Sequence, residues 1–377
     1  CAAAHEPRHR PRGGYTGAKT LNSLYFGIGF TVILALLVAL VGPLFVDWTA
    51  YRAAFETEAA HVLGHKVSVR GTADASLLPY PSLSFSDVVI GDDPDAPLMT
   101  VGRFNMEIEL FPLLSGEIHV TEMQVVQPEL NVRIDDNGAF EWMAVEGGIG
   151  INPSRVMLSG VDIEDGRLVI ADARHSLPVV VDGIKARLDA PALAGPYKVE
   201  GTARAGGDTF SIKAATGAAD GSGAFALKAN VRSAAHPVAA SFDGQLKIAN
   251  HRPTWAGKAT LDRVIAKEDK ATLPWSLSAD LDVSNRAVLA KALEFHYGAE
   301  ERPFTISGAA TLDLAAVPSF EAVLSARQID LDRTLGAGPD KPVSLDGALA
   351  AFGAAIAGLP VPSVPGRVGF DIPGVVV

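Results

Sequence analysis

Alternation of apolar and polar residues over most of the chain is the feature that most restricts its fold. From Lys66 onward, one segment after another repeats with period two. In residues 240–248, Ala, Phe, Gly, Leu and Ile alternate with Ser, Asp, Gln and Lys, and residues 197–204, 275–283 and 304–314 follow the same pattern. Successive side chains of a β-strand point to opposite faces of a sheet. The chain is therefore predicted to be mainly β, with antiparallel strands that have one apolar and one wet face.

Turn signals separate several of these segments. Asp-Gly or Asn-Gly pairs favour the tight turns of β-hairpins, and they occur at Asn137-Gly138, Asp165-Gly166, Asp182-Gly183 and Asp220-Gly221. The strands between turns run about eight to eleven residues, longer than the usual five or six. The pattern predicts a meander of long strands over residues 65–335.

Small residues recur in the middle of the apolar face, at Gly201, Gly244, Ala279, Gly308 and Ala310. Such residues leave space above a sheet or let it bend. Two arrangements satisfy this pattern. In a sandwich, a second sheet buries the apolar face. In an open, curved, groove-like sheet the face stays available, and a large exposed apolar surface usually marks a binding site. Alternation alone does not separate the two.

The apolar face is the candidate binding groove if the sheet is open. The residues expected to line it are large apolar side chains of the alternating segments: Val199, Phe225, Leu227, Phe242, Leu246, Ile248, Leu277, Leu281, Phe304 and Ile306. No catalytic, cofactor-binding or metal-binding residue is predicted among them.

An uncharged stretch from Ser23 to Val46 precedes the β-region. As a helix it would span roughly 36 Å at about 1.5 Å per residue, enough for a hydrocarbon core of about 30 Å. Residues 1–22 carry several Arg and Lys, and Asp47 follows the stretch. The positive-inside rule therefore predicts a cytoplasmic N-terminal tail and a periplasmic remainder, with Trp48 and Tyr51 as anchors at the membrane interface.

A cleaved signal peptide is the competing interpretation of this stretch. Its apolar region would be about 7–15 residues long, with a small-residue cleavage site behind it. The run here is longer, and GPLFVDW contains no Ala-x-Ala pattern. We therefore predict an uncleaved single-pass anchor. This anchor would make a lipid on Cys1 redundant.

Residues 47–64 predict a short amphipathic helix. Asp47 can cap its start and Gly64 can end it, and Phe55 and Ala59 lie on its apolar stripe. We expect this stripe to cover the first strands and to seal one end of the sheet.

Composition and motifs exclude several classes of protein. A formal charge of −11 argues against a nucleic-acid partner, because phosphate binding needs clustered Lys and Arg. The single cysteine, Cys1, excludes a disulfide framework and a Cys-based zinc site. His61 and His65 lack a convincing third metal ligand. The chain contains no G-x-S-x-G elbow and no Gly-rich phosphate or dinucleotide motif. We predict no enzyme and no cofactor.

The pattern weakens after Leu335. Residues 336–377 are rich in Ala, Gly and Pro, and the uncharged run from Gly347 to Leu359 is too short to span a membrane. Alternation resumes near Arg367 without a partner strand after it. These observations predict the start of a further, truncated β-module and a chain that is a fragment.

Four stretches of the N-terminal half resemble the AsmA family of bacterial envelope proteins. With the preceding anchor they cover residues 23–173, and they read PLFVDWTAYRAAFETEA, GHKVSVRGTADASLLPYPSLSFSDVVIGD, MEIELFPLLSGEIHVTEMQVVQPELNVRIDDNGAFEW and, more weakly, SGVDIEDGRLVIADA. The later segment FTISGAATLDLAAVPSFEAVLSARQIDLD is similar to a further module of the same family.

The resemblance implies an inner-membrane anchor and a periplasmic domain with a repeating β-groove, here residues 65–335. It further implies a likeness to bridge-like lipid-transfer proteins, a role in outer-membrane lipid homeostasis, and an association with outer-membrane protein assembly. The expected partners are the inner membrane, phospholipid, and periplasmic or outer-membrane envelope proteins, with no nucleic acid.

Two functions follow as hypotheses. In the first, the groove passes phospholipid, because an apolar surface offsets the cost of about 0.8 kcal/mol for each CH₂ group that water would otherwise contact. In the alternative, the protein is a membrane-anchored scaffold for outer-membrane protein assembly or targeting, and its apolar face is filled core. An outer-membrane barrel also uses alternating strands, but the helical anchor and the absence of aromatic girdles argue against it.

Overall fold

The computed structural model describes most of the chain between Arg52 and Ala326. The described residues are 30–34, 37–38, 52–76, 80–93, 95–109, 111–112, 115, 117–140, 156–175, 177–192, 195–220, 222–249, 251–266, 272–298, 304–315, 317–326, 329–330, 350, 364–371, 373 and 375–376. Residues 30–34 and 37–38 are helical, and the rest of the helix predicted for 23–46 lies outside these ranges. Within them, no helix combines the length and the apolar character needed to cross a bilayer.

A helix directly precedes the long series of strands. Helix α1 spans Arg52–Leu63, within the helix predicted for 47–64. The strands, in chain order, are β1 Val67–Val69, β2 Ala73–Ser76, β3 Ser82–Ile90, β4 Met99–Ile108, β5 Ile118–Ile134, β6 Val156–Asp172, β7 Val179–Ala190, β8 Lys198–Ala205, β9 Asp208–Thr216, β10 Ala224–Ser233, β11 Val238–Ala249, β12 Arg252–Arg263, β13 Trp275–Val283, β14 Ala287–Tyr297, β15 Phe304–Asp313, β16 Ser319–Ser325, β17 Ile329–Asp330, β18 Gly366–Asp371 and β19 Val375–Val376.

The strands form one long sheet. β1 and β2 both pair with β3, and from β3 to β16 each strand pairs with the next along the chain. β18 adds to β16, while β17 and β19 pair separately. The sheet is curved and unclosed. The prediction of a mainly β chain with one long, curved, open sheet is confirmed.

Two pairings within the long sheet are parallel, so the prediction of antiparallel strands throughout is wrong at these places. β5 and β6 run in the same direction, as do β16 and β18. Parallel neighbours need a crossover of about a dozen residues or more, and residues 135–155 and 326–365 provide such lengths. The strand expected near Arg367 therefore has a partner, which precedes it in the chain.

Two of the four predicted turns lie inside strands instead. Asp165 and Gly166 are in the middle of β6, where Asp165 has a φ of 53° and the pairing with β7 shifts register. Gly183, with a φ of 56°, lies at a similar shift between β7 and β8. Both pairs form bulges, which use the same left-handed backbone as tight turns. The turns at Gly138 and Asp220 are as predicted.

Helix α1 covers the free edge of β1. The Glu56 Oε1 atom accepts a hydrogen bond of 2.7 Å from the Val69 backbone N–H, and the Arg52 Nη2 atom donates one of 2.7 Å to the Gly71 carbonyl. An uncovered edge strand would offer these backbone groups to other chains. The helix thus ends the sheet on this side.

The buried core of the molecule lies in β4, β5 and β6. Val101, Val125 and Val161 are 4%, 8% and 8% exposed and form its centre. The Phe55 ring of α1 contacts the Phe85 ring of β3 at a centroid distance of 5.5 Å. The end of the sheet next to the helix is therefore filled by its own side chains.

Strand twist brings distant parts of the sheet together. β5 and β6 run in the same direction, and direction then alternates from β6 to β13, so β11 and β13 run opposite to β5. In a flat sheet, the turn after β5 would therefore lie at one edge of the sheet and the turns after β11 and β13 at the opposite edge. The seven pairings from β6 to β13, at about 20–25° of twist each, rotate the strands by about 140–175°. The Phe140 N–H therefore reaches the His251 carbonyl at 3.0 Å, and the Asn285 Nδ2 atom reaches the Asn137 carbonyl at 2.9 Å.

Candidate functional site

An uninterrupted apolar row crosses the sheet from β3 to β15. Each strand contributes one residue, directly opposite the next in register: Phe85, Phe104, Val125, Ile163, Ala186, Gly201, Ile212, Val231, Ala240, Leu261, Leu277, Phe295 and Ile306. At about 4.8 Å between strands, its twelve steps extend about 58 Å along the curved sheet. We call the side of the sheet that carries this row the apolar face.

The register places all of the predicted groove residues on the apolar face. Each lies in the row or an even number of residues from the row's member on its own strand: Val199, Phe225, Leu227, Phe242, Leu246, Ile248, Leu277, Leu281, Phe304 and Ile306. They are partly exposed, and Ile248, at 37%, is the most open of them. The predicted interface anchors Trp48 and Tyr51 lie outside the described residues.

The apolar face has no second layer over β8–β16 among the described residues. The buried apolar residues of these strands are alanines, Ala203, Ala224 and Ala279, whereas their large side chains stay partly exposed. The strands make their extensive contacts with hydrogen-bonded neighbours. The described part of the chain therefore forms no sandwich, and its apolar face is open beyond the packed region of β4–β6.

Two glycines show that the sheet bends toward this face. Gly244 and Gly257 are directly opposite each other on β11 and β12. A Cβ atom on Gly244 would lie 2.7 Å from the Gly257 Cα atom, and a Cβ on Gly257 would meet the Gly244 Cα atom even more closely. Neighbouring backbones approach this closely only on the inner side of a bend, so the apolar face is concave here. Gly244, one of the mid-strand glycines identified in the sequence, has this role.

A second row lies near the edge of the apolar face, and most of its members were not predicted. It consists of Phe225, Leu246, Trp255, Val283, Val288, Leu312 and Phe320. Trp255 is its largest side chain and contacts Phe242 edge-to-face at a centroid distance of 6.1 Å. Its position in the alternating segment WAGKATL was the sequence signal that could have identified it.

The opposite face carries a ladder of alternating charges. Lys228, Asp243, Lys258, Asp280 and Lys291 face one another in register across β10–β14. The Lys228 Nζ atom is 2.9 Å from the Asp243 Oδ2 atom. A hydrogen bond to Asp282 raises the pKa of Lys291. Opposite charges across strands favour this register, and they keep this face in water while the other remains apolar.

The side chains of the apolar face are suited to contact with hydrocarbon. On β8–β16 its charged residues lie at strand ends, with Asp208 at the start of β9 and Arg263 at the end of β12. No group of three or more His, Cys, Asp or Glu side chains suited to a metal ion occurs in the described ranges. A surface of this kind binds apolar ligands by excluding water.

Comparison with known protein families adds an independent observation. The family model of the AsmA family matches residues 22–145. The resemblance inferred from the sequence is thus confirmed over this segment. No curated protein and no solved structure matched the chain.

The AsmA segment and the open part of the apolar face occupy different regions of the chain. Residues 22–145 include helix α1 and strands β1–β5, which hold the capped edge and much of the packed core. The open stretch, β8–β16, follows this segment and continues its apolar row without interruption. The family match therefore covers the N-terminal part of the sheet, and the open stretch lies outside the matched residues.

Proposed function

We propose that this protein binds phospholipid acyl chains along the apolar face of β8–β16 and transfers them without any covalent chemistry. The observation that carries the proposal is the uncovered, concave apolar face, whose large side chains are partly exposed over β8–β16. Contiguous exposed apolar surfaces of this extent are rare unless they bind something.

The cost of exposing hydrocarbon to water explains why a lipid-binding face should be long and uniformly apolar. A chain of about 16 carbons in water costs on the order of 12 kcal/mol, at about 0.8 kcal/mol per CH₂. One leaflet of a bilayer core is about 15 Å deep, and the open part of the apolar row, from β8 to β15, extends about 34 Å along the sheet. About two acyl-chain lengths therefore fit along the open part, and no internal charge interrupts the path on β8–β16.

The proposed setting is the bacterial envelope. The AsmA-family segment and the apolar stretch at 23–46 support an inner-membrane anchor with a cytoplasmic tail and a periplasmic sheet, in a protein that serves outer-membrane biogenesis. Helix α1 and the valine core occupy the end of the sheet that follows this stretch most directly in the chain. We infer that lipid enters beyond β7, where the face opens, and that envelope proteins are further partners.

A pair of neighbouring residues on opposite faces tests the proposal. Leu227 lies on the apolar face and is partly exposed, whereas Ala226 is exposed on the charged face. The full chain would be incubated with vesicles that contain a phospholipid labelled with a fluorophore in its acyl chain. Leu227→Asp should reduce bound lipid several-fold, and Ala226→Asp should leave it unchanged, with both variants folded by circular dichroism. Equal lipid binding by the wild type and both variants would refute the proposal.

A further inference from the structure

One polar group on the apolar face is buried without a partner. The Trp255 Nε1 atom is shielded from solvent and has no hydrogen-bond acceptor among the described residues. The other buried side-chain nitrogens without acceptors belong to Arg52 and His65, at the helix end of the sheet. Buried indole N–H groups usually have an acceptor, so the isolation of this one needs an explanation.

The indole lies over the hollow that Gly244 leaves. Its Cζ2 atom is 2.8 Å from the position that a Cβ atom on Gly244 would take. Cζ2 and Nε1 are bonded to the same ring carbon, so this edge of the ring, with its N–H, is turned toward the sheet. The backbone groups of β11 and β12 are engaged in their own ladder here. No acceptor is therefore left for the indole in this orientation.

Trp255 lies near the rim of the apolar face. It is the fourth residue of β12, and its partner Val283 is the last residue of β13. A lipid whose hydrocarbon covers this face passes from apolar to polar atoms at such a rim. An unpaired N–H donor at this position therefore lies where the first oxygen atoms of a bound lipid would come.

We propose that Trp255 is a specificity-determining residue that recognises an ester carbonyl of bound lipid. The inference rests on the proposed function, because it needs acyl chains on the apolar face. In a diacyl phospholipid the ester carbonyls are the oxygen atoms nearest the hydrocarbon, so they reach the edge of an apolar face first. The indole turns away from Gly244, its N–H donates to the carbonyl oxygen, and the space over Gly244 and Gly257 accepts the adjoining methylene groups.

The test compares two lipids that differ only in this oxygen. A diacyl phosphatidylethanolamine has ester carbonyls, and its dialkyl ether analogue of equal chain length has none. Binding of each to the full chain would be measured by mass spectrometry of extracted lipid after incubation with vesicles of one composition. One hydrogen bond corresponds to a preference of about 5-fold for the ester lipid in the wild-type protein.

Two tryptophan variants assign the preference to one ring. Trp255→Phe keeps an aromatic ring but removes the N–H, and it should bind the ester and ether lipids equally. Trp275→Phe is the matched control, because Trp275 lies on the same face and packs against Phe295 at a centroid distance of 6.4 Å. This control should retain the wild-type preference.

The outcomes separate this inference from the proposed function. Equal binding of ester and ether lipids by the wild type, or an unchanged preference in Trp255→Phe, would overturn the role of Trp255 while leaving lipid binding intact. Failure of the wild type to bind either lipid would overturn the proposed function and this inference with it.

Discussion

The Arg174 Nη1 atom donates a hydrogen bond of 2.7 Å to the backbone carbonyl of Asn285, 111 residues later in the chain. Arg174 follows β6, and Asn285 lies in the turn between β13 and β14. Arg174 also forms a bidentate pair with Asp172, at 2.9 and 2.7 Å. One guanidinium thus connects two parts of the sheet that only the accumulated strand twist brings together.

Removal of this connection should destabilise the coiled sheet. Arg174→Ala removes the guanidinium from the Asp172 carboxylate, which is 17% exposed, and leaves only His175, at 3.2 Å, beside it. Hydrogen bonds to charged groups contribute about 1.5–3 kcal/mol, so we expect the free energy of unfolding to fall by about 2 kcal/mol. Urea denaturation followed by circular dichroism measures it. Arg204→Ala removes an exposed pair with Asp182 and should cost less than about 1 kcal/mol. Equal losses would contradict the special role of Arg174.

Acid should weaken the same connection. The hydrogen bond from Arg174 lowers the pKa of Asp172 from 3.8 to about 2. A carboxylate whose pKa is lower in the folded state stabilises the protein above its unfolded pKa, and this contribution is lost as pH falls from about 4 to about 2. The free-energy difference between wild type and Asp172→Asn should therefore shrink between pH 4.5 and pH 2.5. A difference that stays constant over this range would exclude the linkage.

The bend at Gly244 and Gly257 should not tolerate a side chain. A Cβ atom on Gly257 would collide with backbone atoms of β11, and overpacking of this kind typically costs about 1–3 kcal/mol. We expect Gly257→Ala to reduce stability by that amount. Gly217→Ala is the matched control, because a Cβ there would make ordinary contact with the Ala226 Cβ atom at 3.4 Å. Thermal unfolding of both variants measures the difference, and equal midpoints would show that the sheet can flatten at no cost.

Polar substitution should have opposite consequences in the two parts of the apolar face. Leu281 is partly exposed on the open stretch, so Leu281→Gln should fold normally and bind less lipid. Val125 is 8% exposed in the packed region, so Val125→Gln buries an unpaired amide and should destabilise the protein by about 2–4 kcal/mol. Stability and lipid binding are measured on the same preparations. Unfolding of Leu281→Gln would favour the alternative of a scaffold with a filled core.

Local pattern was sufficient to predict the strands and their faces. Alternation from Lys66 onward placed Phe242 and Leu281 on the apolar side, and the register confirms their shared face. The parallel pairing of β5 with β6 was not predicted, because pairing direction depends on the path of the connecting segment rather than on alternation. The sequence predicts a turn at Asp165-Gly166, whereas the pair forms a bulge, since bulges and turns use the same left-handed backbone.

Two features, the openness of the apolar face and the isolation of Trp255, depend on how separate strands and layers pack rather than on local sequence. The openness of the apolar face is set by whether another layer packs on it, which no local pattern reports. Trp255 escaped prediction for a related reason. Its isolation follows from the close approach of β11 and β12 at Gly244, and that approach depends on sheet curvature.

Site-specific photo-crosslinking tests the central claim most directly. A photoreactive amino acid would replace Phe242 or Leu281 on the apolar face, or their neighbours Ser241 and Asp282 on the charged face, in the full chain within bacterial membranes. The account predicts phospholipid adducts from Phe242 and Leu281 and few from Ser241 and Asp282. Adducts only from the charged-face positions, or equal yields from both faces, would contradict it.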